Sequence, residues 1–231
     1  MDQRADHEPA RLERQTGASA QATMRFLLRL RERGIANVAV LRALETLPRE
    51  HFVPHRHADL AWRDIALPIG CGQTMPEPYV VARMMESLDV GRTHRVLEIG
   101  AGNGFSAAIL SRLAAEVLSV ERFQALALAA SARLAQLGID NARIVWGDGL
   151  ELPAEIGLFD RILVQGVLKE VPASILNLLA AGGVVVFARR EAIGGRARLV
   201  RLVHKPEGFV ETRICECRLQ RLIPGVSAAA G

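Results

Sequence analysis

The chain has 231 residues, 50% of them hydrophobic, which suits one domain with a large buried core. Its formal net charge of +4 permits an acidic partner without requiring one. Only 4% of residues are aromatic, poor material for stacking on bases, so nucleic acid is not an expected partner.

Residues 1–23 are polar, alanine-rich and aperiodic, and read as a flexible tail before a single domain at 24–231. They lack the apolar centre of a signal peptide, and no apolar run further on is long enough to cross a bilayer. Cys71, Cys215 and Cys217 do not make a disulfide framework, so the expected compartment is the reducing cytoplasm. Nothing fixes the oligomeric state, and a monomer is expected. A helix is predicted over 24–33, with Leu27, Leu28 and Leu30 between arginines and Gly34 at its C-cap. Asn37 then caps a helix over 38–47, where Val38, Leu41 and Leu44 recur at helical spacing. Pro48 stops it. His51, His55 and His57 follow, but Pro54 breaks any helix through them and no carboxylate cluster completes a site, so no metal is expected. The stretch 64–78, rich in glycine and proline, reads as an ordered, irregular loop of the kind that carries function. A helix over 79–88 closes this N-terminal part, 24–90.

The α/β core at 91–222 opens on a strand at 95–99, the turn Gly100-Ala101-Gly102-Asn103-Gly104 and a helix over 105–114. Strand, glycine turn and helix in that order make a cradle for a ligand. A dinucleotide fingerprint wants a third glycine where Phe105 stands, which argues against nicotinamide or flavin. Glu98 would repel a pyrophosphate and suits a cationic ligand. S-adenosylmethionine, with its ammonium and sulfonium, fits; a helix-capping role is the bland alternative.

Alternating elements follow: a strand at 116–120 ending at Glu121, a helix over 123–137 closed by Gly138, and a strand at 142–146 before Gly147-Asp148-Gly149. Then come a strand at 159–164, a helix over 173–179, and a strand at 184–188 after Gly182-Gly183. Two alternating strands at 197–204 and 209–219, joined through Pro206-Glu207-Gly208, make a terminal hairpin. The predicted fold is the α/β, Rossmann-like class I methyltransferase fold. It has a mostly parallel seven-stranded sheet with helices on both faces, a helical N-terminal extension and an antiparallel C-terminal hairpin. Glu121, about 20 residues past the glycine turn, is placed to accept from a ribose diol, and Asp148 to meet an adenine amino group. Three acids at the carboxyl ends of successive strands favour S-adenosylmethionine as the cofactor.

Enzymes that methylate base amines carry a polar-Pro-Pro-aromatic segment after the fourth strand. Here that segment is Val164-Gln165-Gly166-Val167. No histidine is placed as a general base. A carboxylate acceptor, ionised at neutral pH, needs none. The motifs at 48–54, 64–74 and 96–100, with Glu121-Arg122, Gly147-Asp148-Gly149 and Gly182-Gly183, resemble the protein-L-isoaspartate O-methyltransferase family. The resemblance spans about residues 26–222, and the Gly72-Gln73-Thr74 loop is its specific part. It implies esterification of the α-carboxylate of isoaspartyl residues in damaged proteins, followed by closure to a succinimide. It also implies cofactor contacts at Glu98, Gly100, Gly102, Gly104, Glu121, Arg122, Asp148 and Gly149. Substrate contacts fall to Gln73, Thr74, Val164, Gln165 and Gly166, with strand addition expected along Gln165-Gly166-Val167. Where the family's loop has a serine that assists catalysis, this chain has Pro76, with neither hydroxyl nor N–H. Thr74 is the hydroxyl retained nearby. Two other readings stay open: a diverged carboxyl methyltransferase with another acceptor, and a cofactor-binding protein without turnover.

Overall fold

The computed structural model describes residues 21–190 and 196–228. Most of the expected tail, residues 1–20, lies outside the described residues, while 21–32 form helix α1. Gly34, at φ +89°, follows its end, and the Ile35 N–H returns to the Leu30 carbonyl at 3.0 Å. Helix α2 (Val38–Thr46) starts at Asn37, whose side chain accepts from the Val40 N–H at 3.1 Å. Two short 3₁₀ turns, Arg49–Phe52 and His55–Leu60, carry the histidines near the surface.

The irregular loop contains more order than its composition suggests. Strands β1 (Leu67–Pro68) and β2 (Thr74–Met75) pair antiparallel within it. Cys71 and Gly72 form the turn with φ of +58° and +63°, closed by the Gln73 N–H on the Gly70 carbonyl at 3.1 Å. Helix α3 (Pro78–Leu88) follows. Asp64 caps it from a distance by accepting the Tyr79 N–H at 2.9 Å. Arg33 pairs with the same carboxylate and lies 3.5 Å from the Tyr79 ring centroid, tying α1 to loop and helix.

The core strands are β3 (Arg95–Ile99), β4 (Glu116–Glu121), β5 (Ala142–Trp146), β6 (Phe159–Leu168), β7 (Leu179–Arg190), β8 (Ala197–Lys205) and β9 (Gly208–Cys217). They form a seven-stranded sheet in the order β5-β4-β3-β6-β7-β8-β9. The pairs from β5 to β7 are parallel, and β7-β8-β9 run antiparallel. The order reverses beside β3, so the carboxyl ends of β3, β4 and β6 face one crevice. Helices α4 (Phe105–Leu113) and α5 (Gln124–Gln136) join α2 and α3 in the larger apolar core.

The second face is thinner than the sequence suggests. The helix expected over 173–179 is a single turn, α6 (Ala173–Leu176). The Leu178 carbonyl accepts the Phe159 N–H at 2.8 Å, and Leu179 pairs with Phe159. Sheet pairing thus takes over where helical spacing would continue. Strand β7 starts five residues early and absorbs Gly182-Gly183 as a bulge, with Gly182 at φ +74°. Strand β9 ends at Cys217, before the expected 219.

Candidate functional site

A cavity of about 530 Å³ opens at the carboxyl ends of β3 and β4, within the usual range for a small-molecule site. Gly100 and Gly102, at φ +92° and +55°, form its floor. A side chain at Gly102 would start 3.4 Å from the Ile69 methyl that faces it across the cavity. Gly104, at φ +87°, does not line the cavity; a Cβ there would stand 3.0 Å from that of Ala130, so this glycine lets α4 and α5 approach.

Glu121 is almost completely buried at the end of β4. One carboxylate oxygen accepts the Gly102 N–H at 2.8 Å, the other the Phe123 N–H at 2.9 Å. Both oxygens keep a lone pair, and the residue lines the cavity. Arg122 and Asp148 line it too. The Asp148 carboxylate is engaged by two backbone donors, Leu150 N–H at 2.9 Å and Gly225 N–H. Gly149 serves packing: a Cβ there would lie 2.6 Å from a methyl of Ile99.

Glu98 sits one layer behind the wall. It is fully buried and does not line the cavity. Its carboxylate accepts from Ser119 Oγ and from Gln165 Nε2, the latter at 2.9 Å. Burial pushes its pKa from 4.5 up to about 7; those two hydrogen bonds lower it and the charge of Glu121 raises it further. Gln165 does line the cavity, and its Oε1 is buried without a partner. Gln165 therefore stands between Glu98 and any ligand.

The opposite wall is the β1–β2 loop. Gln73, Thr74, Met75 and Pro76 all line the cavity. Met75 is anchored from below: Arg49, fully buried, donates Nη2 to its sulfur at 3.7 Å and stands 5.6 Å from the Phe105 ring centroid. Burial lowers the Arg49 pKa to about 10, so it stays charged at neutral pH.

One wall escaped the sequence reading. After β9 the chain turns back, and residues 218–223 line the cavity. The Val167 N–H donates to the Gln220 carbonyl at 2.8 Å, and the Leu222 N–H to the Val167 carbonyl at 3.2 Å. Val167 ends the expected strand-addition segment, and its two backbone groups are not free for a substrate strand, because both are already paired by the protein's own C-terminal segment. Val164 and Gly166 stand behind it, off the cavity. A Cβ on Gly166 would fall 2.5 Å from Leu222 Cγ. Glycine inside a strand signals such a close approach. Further on, the Ser227 N–H reaches the Arg122 carbonyl at 2.7 Å, and Arg122 Nε reaches the Gly225 carbonyl at 3.0 Å.

Comparison with known proteins supplies independent findings. A sequence model of the protein-L-isoaspartate(D-aspartate) O-methyltransferase family matches residues 21–224. Protein-L-isoaspartate O-methyltransferase 2 of Rhodopseudomonas palustris (strain HaA2) is 47% identical over 204 residues, 88% of this chain and 94% of that one. The protein-L-isoaspartate O-methyltransferase of Xanthobacter autotrophicus is 44% identical over 208 residues, 89% of this chain and 93% of that one. A solved protein-L-isoaspartate O-methyltransferase superposes with a TM-score of 0.77 at 26% identity, covering 88% of this chain and 67% of that one. A second, from Plasmodium falciparum and in complex with S-adenosyl-L-homocysteine, has a TM-score of 0.74 at 21% identity, covering 86% and 96%; it bears on the fold alone.

Proposed function

The chain belongs to the protein-L-isoaspartate(D-aspartate) O-methyltransferase family, and from that premise we propose that its cavity at the ends of β3 and β4 is where isoaspartyl carboxylates are methylated. The enzyme is an S-adenosylmethionine-dependent methyltransferase acting on isoaspartyl proteins. The observation that carries the site is Glu121, a buried carboxylate spending one lone pair per oxygen on the turn and keeping the others for the cavity.

The cofactor, when bound, supplies an electrophilic methyl group. Glu121 would accept from its ribose hydroxyls, with Gly100 and Gly102 giving close backbone approach and Arg122 and Gly149 completing that side. Asp148 retains lone pairs for an adenine amino group. Glu98 would act on the cofactor's charged end only through Gln165, whose amide it holds against the cavity wall. Gln73, Thr74 and Pro76 form the acceptor wall, where Thr74 offers the hydroxyl and Pro76 a rigid apolar surface. No side chain has to remove a proton, because the acceptor carboxylate arrives ionised. The chain's task is alignment and exclusion of water. Among the described residues no helix is long and apolar enough to cross a membrane. With three free thiols, we place the enzyme in a reducing cytoplasm.

The test is transfer of labelled methyl from S-adenosylmethionine to an isoaspartyl peptide and to its aspartyl counterpart. The expected product is a methyl ester on the isoaspartyl peptide alone, releasing methanol in mild alkali. A base-stable product, or equal labelling of both peptides, refutes the reading.

A further inference from the structure

The loop that forms the acceptor wall is weakly held by its own strands. Strands β1 and β2 have two residues each, and the turn between them places Cys71 at φ +58°, where a side chain is strained. The support comes from 146 residues further along the chain. Gln220 Oε1 accepts the Thr74 N–H at 3.0 Å, and Gln220 Nε2 donates to the Gly72 carbonyl at 3.1 Å. One primary amide thus grips the two backbone groups that flank Gln73, as a neighbouring strand would. The backbone of the same residue is fixed in turn, since its carbonyl accepts the Val167 N–H at 2.8 Å. Gln220 therefore joins three walls of the cavity: the loop, the end of β6 and the C-terminal segment.

We propose that Gln220 is a positioning residue for methyl transfer, setting the place of Gln73 and Thr74 relative to the end of β6. It touches neither the reacting methyl nor the acceptor in this account; it acts through the loop backbone. The amide is needed as such. It must accept at one atom and donate at the other, so neither a hydrocarbon nor a carboxylate reproduces it. The consequence is kinetic. Gln220 and its partners are exposed to solvent, so its two hydrogen bonds contribute little to global stability. A small displacement of an aligning loop nevertheless acts strongly on rate. The C-terminal segment is then part of the acceptor site rather than a trailing end of the sheet. This rests on the carboxyl-methylation reading above.

The experiment compares wild type, Gln220→Ala and Gln220→Glu. Steady-state kinetics use one isoaspartyl peptide; calorimetry measures S-adenosylhomocysteine affinity; amide hydrogen exchange follows the peptide covering 70–76. The expected result is a fall of about tenfold or more in kcat for both variants. Peptide KM and S-adenosylhomocysteine affinity should stay within about threefold, and the loop should exchange faster. Gln220→Glu keeps the acceptor for Thr74 but turns a carboxylate toward the Gly72 carbonyl, so it should not rescue. Unchanged kcat, or unchanged exchange at 70–76, overturns the proposal. So does a loss of activity that tracks lost cofactor binding and a lowered melting temperature, which would assign Gln220 a merely structural role. If the wild type esterifies no isoaspartyl peptide, the substrate reading fails, and the exchange arm still decides whether Gln220 holds the loop.

Discussion

Replacing Glu121 by Gln is the sharpest probe of the cofactor side. The carboxylate has two acceptor oxygens, and each already takes one backbone N–H: Gly102 at 2.8 Å and Phe123 at 2.9 Å. An amide has one acceptor and one NH₂ group. Whichever way it is turned, its NH₂ faces one of those two donors, so one part-buried N–H loses its partner. The ribose hydroxyls meet one acceptor fewer and no charge. A hydrogen bond to a charged group is worth about 1.5–3 kcal/mol, which converts to roughly 10- to 150-fold in Kd. The Gly102 N–H also helps tie the glycine turn to β4, beside the Gly100 and Ala101 N–H groups on the Val120 carbonyl, so unliganded stability should fall by about 1–3 kcal/mol. Glu121→Asp keeps the charge but withdraws it by one methylene from both amides, so it should restore little. Calorimetric titration with S-adenosylhomocysteine checks the first number and urea denaturation the second. Binding by Glu121→Gln within twofold of wild type would refute the assignment of this carboxylate to the cofactor.

Two further perturbations test other walls. The Glu98 pKa is raised to about 7 in the fold against an ordinary 4.5, so the folded state holds an extra proton between those values. The stabilising contribution is therefore complete below about pH 4.5 and is lost as pH rises through about 7, at most ~3 kcal/mol. Glu98→Gln should flatten that slope and gain on wild type at pH 8 relative to pH 5.5; an equal difference in urea midpoint at both pH values would contradict it. Pro76→Ser should raise kcat/KM on an isoaspartyl peptide by about 10- to 100-fold through one hydrogen bond that strengthens in the transition state. Its S-adenosylhomocysteine affinity should stay constant, and a variant no faster than wild type would show the hydroxyl is dispensable.

Much of the architecture was legible because local and global signals agree. Asn37, Gly34 and Gly138 mark helix ends where the chain places them, while Pro78, read as the end of the loop, opens α3. Strands β3 and β4 read as short apolar runs because both faces of the sheet are buried there, whereas the edge strand β5 alternates, with Arg143 exposed. Long-range pairing lies behind the largest misreading. Leu178 and Leu179 belong to a helical pattern until Phe159 captures them for the sheet. The 64–78 loop looked irregular because its strands are two residues each, too short to show alternation. Strand-end logic singled out Glu121 and Asp148, and the turn motif Gly100 and Gly102, all of which line the cavity, whereas Gly104 from the same motif does not. The layered arrangement of Glu98 behind Gln165 was not legible, since periodicity gives a residue's face and not its depth. The segment at 218–223 carries no motif of its own and acquires its role only by folding back onto Val167.

The acceptor loop shows how placement and chemistry can be carried by different residues. Its backbone is located by β1–β2 pairing, its underside by the Arg49 contact to Met75 sulfur, and its rim by Gln220. None of these uses the side chain of residue 76. A proline there removes an N–H and a hydroxyl without undoing any contact that positions the loop. Substitutions at 76 should therefore act on the chemical step while leaving the loop where it is. Substitutions at 220 should move the loop and leave the local chemistry of residue 76 intact. If the two effects are independent, the losses relative to a Pro76→Ser, Gln220-intact enzyme multiply in the double variant. If serine can hydrogen-bond the acceptor only when Gln220 sets the loop, then Gln220→Ala should abolish the gain that Pro76→Ser provides. The fold favours the second outcome, because a single hydroxyl must find the acceptor within hydrogen-bond reach, and the grip on Gly72 and Thr74 adds to the β1–β2 pairing and the Arg49 contact in fixing where residue 76 begins.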